Sequence, residues 1–107
     1  MVSRRFDVVL VNLDPTMGSE IQKTRPCLVV SPDEMNVALR TVIVAPLTTG
    51  GKRSPSRIPC RFAGKSGFVA LDQLRSIDRA RIMRKPGRMN DATARAALTS
   101  LQVMFQE

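Results

Sequence analysis

Short runs of β-branched and apolar residues, cut by turn formers, organise this chain. Arg5 to Leu13, "RFDVVLVNL", ends at Asp14-Pro15 and predicts a first strand. A long loop, "DPTMGSEIQKT", follows. Pro26 then opens a second strand, because a first strand residue need not donate to the ladder, and "CLVVS" continues it as a short buried run. Residues 32–39 allow either one helical turn or an irregular crossing. "RTVIVAPL" is a third strand, ended by the basic, flexible loop "TTGGKRSPSR". "IPCRF" and "GFVALDQL" predict two more strands around the turn "AGKSG", and "RIMRKPGRM" reads as a short strand.

The period changes at the C-terminus. Asn90 or Asp91 can cap a helix in which Ala94, Ala97, Leu98, Leu101, Met104 and Phe105 fall on one stripe, expected to be core. Five or six short strands and one terminal helix predict a mainly β fold, a small SH3-like barrel of mostly antiparallel strands. The expected layout is a single domain over residues 1–107, with the barrel over about residues 4–89 and the helix over about 91–106. Doubly wound folds are excluded, since crossover helices are missing. Phe6, Phe62 and Phe68 lie at strand positions and are expected in the core.

Composition narrows the function. The 107 residues include 17 Lys and Arg against nine Asp and Glu, a net charge of +8 that suits a polyanion or an acidic protein as partner. A basic surface with no specific partner is the plain alternative. No stretch approaches the ~18 apolar residues of a membrane span. "SRRFDVVLVNLD" glances at a twin-arginine signal but is interrupted by Asp7 and Asp14, so the expected location is the cytoplasm. Cys27 and Cys60 stand at no metal-binding spacing and read as buried free thiols.

The chain has no histidine, which removes the commonest general acid or base and every Ser-His or Cys-His nucleophile arrangement. "TTGGKRS" lacks phosphate-loop spacing. What remains is arginine, hydroxyls and carboxylates. Those tools suit RNA cleavage by its own 2′-hydroxyl, which needs only a held phosphate, stabilised charge and moved protons.

The stretches "VVLVNLDPTMGSEIQKTRPCLVVSPDEMN", "VAPLTTGG" and "GFVALDQLRSIDRARI" resemble the MazF and PemK (Kid) family of toxin–antitoxin toxins over nearly the whole chain. The resemblance implies the toxin fold shared with CcdB, and a sequence-specific, metal-independent endoribonuclease. Such an enzyme cuts single-stranded mRNA, needs no cofactor, arrests translation, acts as a homodimer and is held inactive by an acidic, MazE-like antitoxin. It places the catalytic arginine on Arg25 and the catalytic threonine on Thr48, with Glu20 matching the family's glutamate. Asp72 matches the PemK-branch aspartate, whereas the arginine of that branch is replaced by Ala70.

On this reading Arg25 stabilises charge on the scissile phosphate from the threshold of a strand, and Thr48 orients a phosphate oxygen. Glu20 or Asp72 accepts the 2′-hydroxyl proton. Lys23, Thr49, Lys52, Arg53, Arg57, Lys65 and Gln73 are candidates for holding substrate. Each residue also has an ordinary structural reading: Glu20 could pair with Lys23, Thr48 and Thr49 could satisfy turn backbone, and Arg75 and Asp78 could form a surface ion pair. Two other classes stand beside the ribonuclease. One is a gyrase-binding toxin like CcdB, whose Trp-Gly-Ile ending is replaced here by "QVMFQE"; the other is a noncatalytic nucleic-acid-binding barrel.

Overall fold

The computed structural model describes residues 2–107. Seven strands form one antiparallel sheet: β1 (Asp7–Asn12), β2 (Thr24–Val29), β3 (Thr41–Thr48), β4 (Arg57–Phe62), β5 (Lys65–Ala70), β6 (Arg75–Asp78) and β7 (Ile82–Arg88). A short helix α1 (Asp33–Ala38) links β2 to β3, and α2 (Asp91–Met104) closes the chain. The order is β4-β5-β3-β2-β1-β7, with β6 on β3. The sheet curls into a barrel-like shape without a closing ladder: β4 and β7, its two outer strands, do not pair, and Gly87 of β7 leaves room for the Phe62 ring of β4. The mainly β fold with a C-terminal helix is as expected.

Alternation explains why this sheet needs two cores. Successive residues of a strand face opposite sides, so an unbroken apolar run fills both. Val8, Leu28, Ala45, Leu47 and Val69 join Ala94, Ala97 and Leu101 of α2 in one core. Val9, Val11, Cys27, Val29, Val42 and Val44 join Leu13 and Ile77 in the other. Asn90 is the helix cap, its side chain accepting the Thr93 N–H at 2.9 Å. Within α1, buried Asn36 is satisfied by Ser31, whose carbonyl receives Nδ2 at 3.0 Å and whose hydroxyl donates to Oδ1.

Several elements differ from the expectation. β2 begins at Thr24, so Arg25 is a strand residue paired with Val11, not a threshold residue. Pro26 is tolerated inside the strand because β3 joins β2 only from Cys27 onward. Of the two alternatives for residues 32–39, the helical one holds, as the six-residue α1. The predicted strand "GFVALDQL" stops at Ala70, where β5 ends and a 3-10 turn at Leu71–Gln73 takes over; β6 follows from Arg75, a strand the sequence reading does not include, and pairs with β3. Lys65 and Ser66 belong to β5, leaving Ala63 and Gly64, both at positive φ (52° and 78°), as the hairpin turn.

Three packing expectations also fail. Met104 and Phe105 are 41% and 74% exposed, because α2 outruns the sheet after Leu101. Phe68 belongs to neither core, since alternation along β5 commits Val69 inward and turns Phe68 out. Arg75 and Asp78 do not pair with each other: Arg75 donates to the Leu13 carbonyl at 3.1 Å, and Asp78 stands 3.8 Å from Arg40. Cys27 and Cys60 are free thiols, the first buried and the second half-buried. No helix among the described residues is long and apolar enough to cross a membrane.

Candidate active site

Where the curled sheet fails to close, six strands contribute to one cavity of about 300 Å³. Arg25 from β2, Thr48 at the end of β3, Lys65 from β5 and Arg84 from β7 all line it, with Thr49 just beyond β3. Three cations and no carboxylate border this space, so its field favours an anion.

Each residue is held by local geometry. Arg25 spends its Nε on the Gln22 carbonyl at 3.2 Å, which fixes the guanidinium plane and leaves the terminal nitrogens to other acceptors. Thr48 Oγ1 accepts the Gly50 N–H at 3.2 Å, so its hydroxyl proton can be given to a ligand. Arg84 stands in a cross-strand row with Leu10 and Pro26, which turns it onto the cavity face. It is absent from the sequence-derived candidates, because a basic residue in an ambiguous strand carries no signal until its partners are known.

The other candidates lie outside this cavity. Glu20 Oε1 accepts the Met17 N–H at 2.6 Å within its own loop. Gln73 ties down that loop, its Oε1 accepting the Ile21 N–H at 3.1 Å and its Nε2 donating to the Ser19 carbonyl at 3.3 Å. Lys23, at φ 68°, gives its backbone N–H to Asp14 at 3.1 Å, and its side chain is exposed. Lys52 is exposed in the β3–β4 loop, while Arg53 from that loop borders a second, neighbouring groove.

Asp72 is grasped by Arg57: Nε donates to Oδ1 at 2.6 Å and Nη2 to Oδ2 at 2.9 Å. That fork holds the carboxyl below its ordinary 3.8 and keeps the guanidinium protonated. Arg57 is also the cross-strand partner of Ala70, so a guanidinium accompanies Asp72 although residue 70 is alanine. Burial pushes the Cys60 thiol on the cavity wall up. Among the described residues no three His, Cys, Asp or Glu side chains gather to ligate a metal.

A permanently charged fork beside a free hydroxyl, flanked by two more cations, can grip a phosphate and stabilise extra negative charge on it. Known proteins carry the same arrangement of chain. The family profile described as "PemK-like, MazF-like toxin of type II toxin-antitoxin system" matches residues 4–105. Endoribonuclease PemK of Escherichia coli is 44% identical over 69 residues, 64% of this chain and 45% of that protein, so the match spans about half of PemK. Endoribonuclease toxin ChpB of Escherichia coli K12 is 35% identical over 109 residues, covering 95% of this chain and 93% of ChpB. The crystal structure of MazF from Deinococcus radiodurans superposes with a TM-score of 0.85 at 26% identity, covering 97% of this chain and 96% of the other.

Proposed function

The chain belongs to the PemK-like, MazF-like toxins of type II toxin–antitoxin systems, and from that footing we propose that it is an endoribonuclease cutting single-stranded mRNA. The observation carrying this reading is that Arg25, Thr48, Lys65 and Arg84 line one cavity free of carboxylates. Transesterification needs no outside nucleophile. The 2′-oxygen bonds to phosphorus, the bond to the 5′-oxygen breaks, and the products are a 2′,3′-cyclic phosphate and a 5′-hydroxyl. One proton leaves the 2′-hydroxyl for a carboxylate, and one reaches the departing oxygen from Arg25, which solvent then reprotonates.

Arg25 stabilises the charge that builds on the phosphate and on the leaving oxygen, and Thr48 donates to a non-bridging oxygen. Lys65 and Arg84 hold the phosphates on either side. Of the two carboxylates, Glu20 is the better proton acceptor, because both oxygens of Asp72 are engaged by Arg57 and its basicity is depressed. Glu20 lies in the loop that supplies the Gln22 carbonyl to Arg25, so movement of that loop couples the two. The protein acts as one toxin domain in the cytoplasm, as a homodimer, stopping translation until an acidic antitoxin covers the basic surface.

The test is to incubate the purified chain with mixed-sequence single-stranded RNA in EDTA and map the fragments. Discrete cuts with cyclic phosphate ends are expected, and Arg25→Ala should slow them by about 10²–10³. RNA retained intact in a complex would replace the enzyme with a noncatalytic binding barrel. Neither cutting nor binding would turn attention to a protein target such as gyrase.

A further inference from the structure

The protein has four aromatic rings, all phenylalanine, to offer a base. Phe6 is core, Phe62 packs against the core, and Phe105 stands past the end of α2. Phe68 is the remaining ring, turned out of the sheet and half-buried. It pairs directly with Thr48 of β3 on one side and with Pro59 of β4 on the other. Cross-strand partners share a face with their Cα atoms about 4.5–5.5 Å apart, so the ring lies beside the threonine assigned to the phosphate.

That ring lines an open groove of about 550 Å³. The groove runs into the Arg25 cavity, with Thr49, Cys60, Ser66 and Gly67 common to both. Polar groups stand around the ring. Arg61 is held by Ser66 Oγ through Nη1 at 3.1 Å, and Asn90 has committed its carbonyl oxygen to capping α2, so its amide nitrogen remains a donor. A flat apolar face, a guanidinium and a directed donor, one strand pair from a phosphate site, match a nucleobase and its backbone.

We propose that this groove is a nucleobase subsite, in which Phe68 stacks the base of a nucleotide adjoining the cleaved bond while Arg53 and Arg61 take up the neighbouring backbone. The assignment rests on the ribonuclease reading. Stacking accepts any base and so sets register and affinity. The Asn90 amide favours a base edge that presents an acceptor.

The test uses Arg25→Ala protein, slowed enough for binding to be read before cleavage, and an oligonucleotide carrying the mapped cleavage site with each nucleotide in turn made abasic. In that background Phe68→Ala should weaken binding of the complete oligonucleotide by about 5- to 150-fold, the range of one base–aromatic stack. One abasic position beside the cleaved bond should give the same loss, and there Phe68→Ala should cost nothing more. Phe68→Trp should restore binding and Phe68→Leu should not. Full binding by the leucine variant, or the absence of any abasic position that cancels the effect, overturns the subsite. Cleavage by the otherwise wild-type chain is scored separately: its absence sinks the ribonuclease, whereas normal cleavage beside a failed abasic series sinks the subsite alone.

Discussion

Gly67 of β5 lies against the carbonyl of Thr48 so closely that a Cβ at residue 67 would collide with that oxygen and come within 3.1 Å of the Thr49 Cα. The end of β3 pairs with β5 here, Thr48 opposite Phe68, so residue 67 borders the backbone of both threonines.

Gly67→Ala should therefore lift Thr48 and Thr49 out of register. A destabilisation of about 1–3 kcal/mol is expected from the forced backbone shift, together with a loss of cleavage larger than unfolding explains. The control is Gly64→Ala, at φ 78° with nothing within 4 Å of a new Cβ, which should cost about 1–2 kcal/mol through conformation alone and leave cleavage intact. Thermal melts and cleavage rates on both variants decide the matter. Wild-type cleavage by Gly67→Ala would mean that the glycine does not position Thr48.

Lys65 and Arg84 should act as phosphate contacts. Removing either one to alanine is expected to weaken single-stranded RNA binding at low salt and to reduce the slope of log K against log[salt] by about 0.7. Binding titrations at four salt concentrations measure it. An unchanged slope for Arg84→Ala would remove that residue from the RNA path.

The Arg57–Asp72 pair gives acid sensitivity with a definite sign. Its folded carboxyl is depressed below the ordinary 3.8, so its stabilisation is present above the unfolded value and is lost as pH falls through it towards the folded one. The side chains are 22% and 38% exposed, and solvent screening limits the contribution to about 1 kcal/mol or less. Urea unfolding at about pH 7 and about pH 2.5 should show Asp72→Asn less stable than wild type at the first and level with it at the second. Equal stability at both would show the pair to be energetically silent.

The thiols should separate cleanly. Burial pushes Cys27 up to about 12, so alkylation at mildly alkaline pH should spare it until the protein unfolds. Cys60 is half-buried and should react slowly in the native state, slowing RNA cleavage in step because it lines the cavity. Peptide mass mapping beside activity measurements reads both. Native-state labelling of Cys27 would contradict the described packing.

The strands were legible because apolar runs and turn formers alternate so plainly, and α2 because its period and cap agree. Legibility failed where pairing overrides propensity. "GFVALDQL" looks like one strand through Leu74, yet a 3-10 turn ends β5 at Ala70, and Arg75 to Asp78, with no strand signal of their own, pair with β3. Pro26 looks like a first strand residue, yet it stands third in β2 because half the ladder is missing there. At the site, Arg25 and Thr48 could be named from motifs. Arg84 could not, for its place depends on a register with Leu10 that only the folded sheet defines. That Gln73 fastens the Ser19–Ile21 loop was not legible, because those contacts span more than fifty residues of sequence.

The Arg25 cavity contains neither imidazole nor carboxylate, and its single thiol is pushed up by burial. None of its lining residues is of a type that ordinarily changes charge near neutral pH. Among the described residues no carboxylate borders the cleft to offset its three cations, so an anion that enters meets an uncompensated positive field. In a toxin of a toxin–antitoxin pair, such a cleft is one that a negatively charged partner can fill as readily as substrate can.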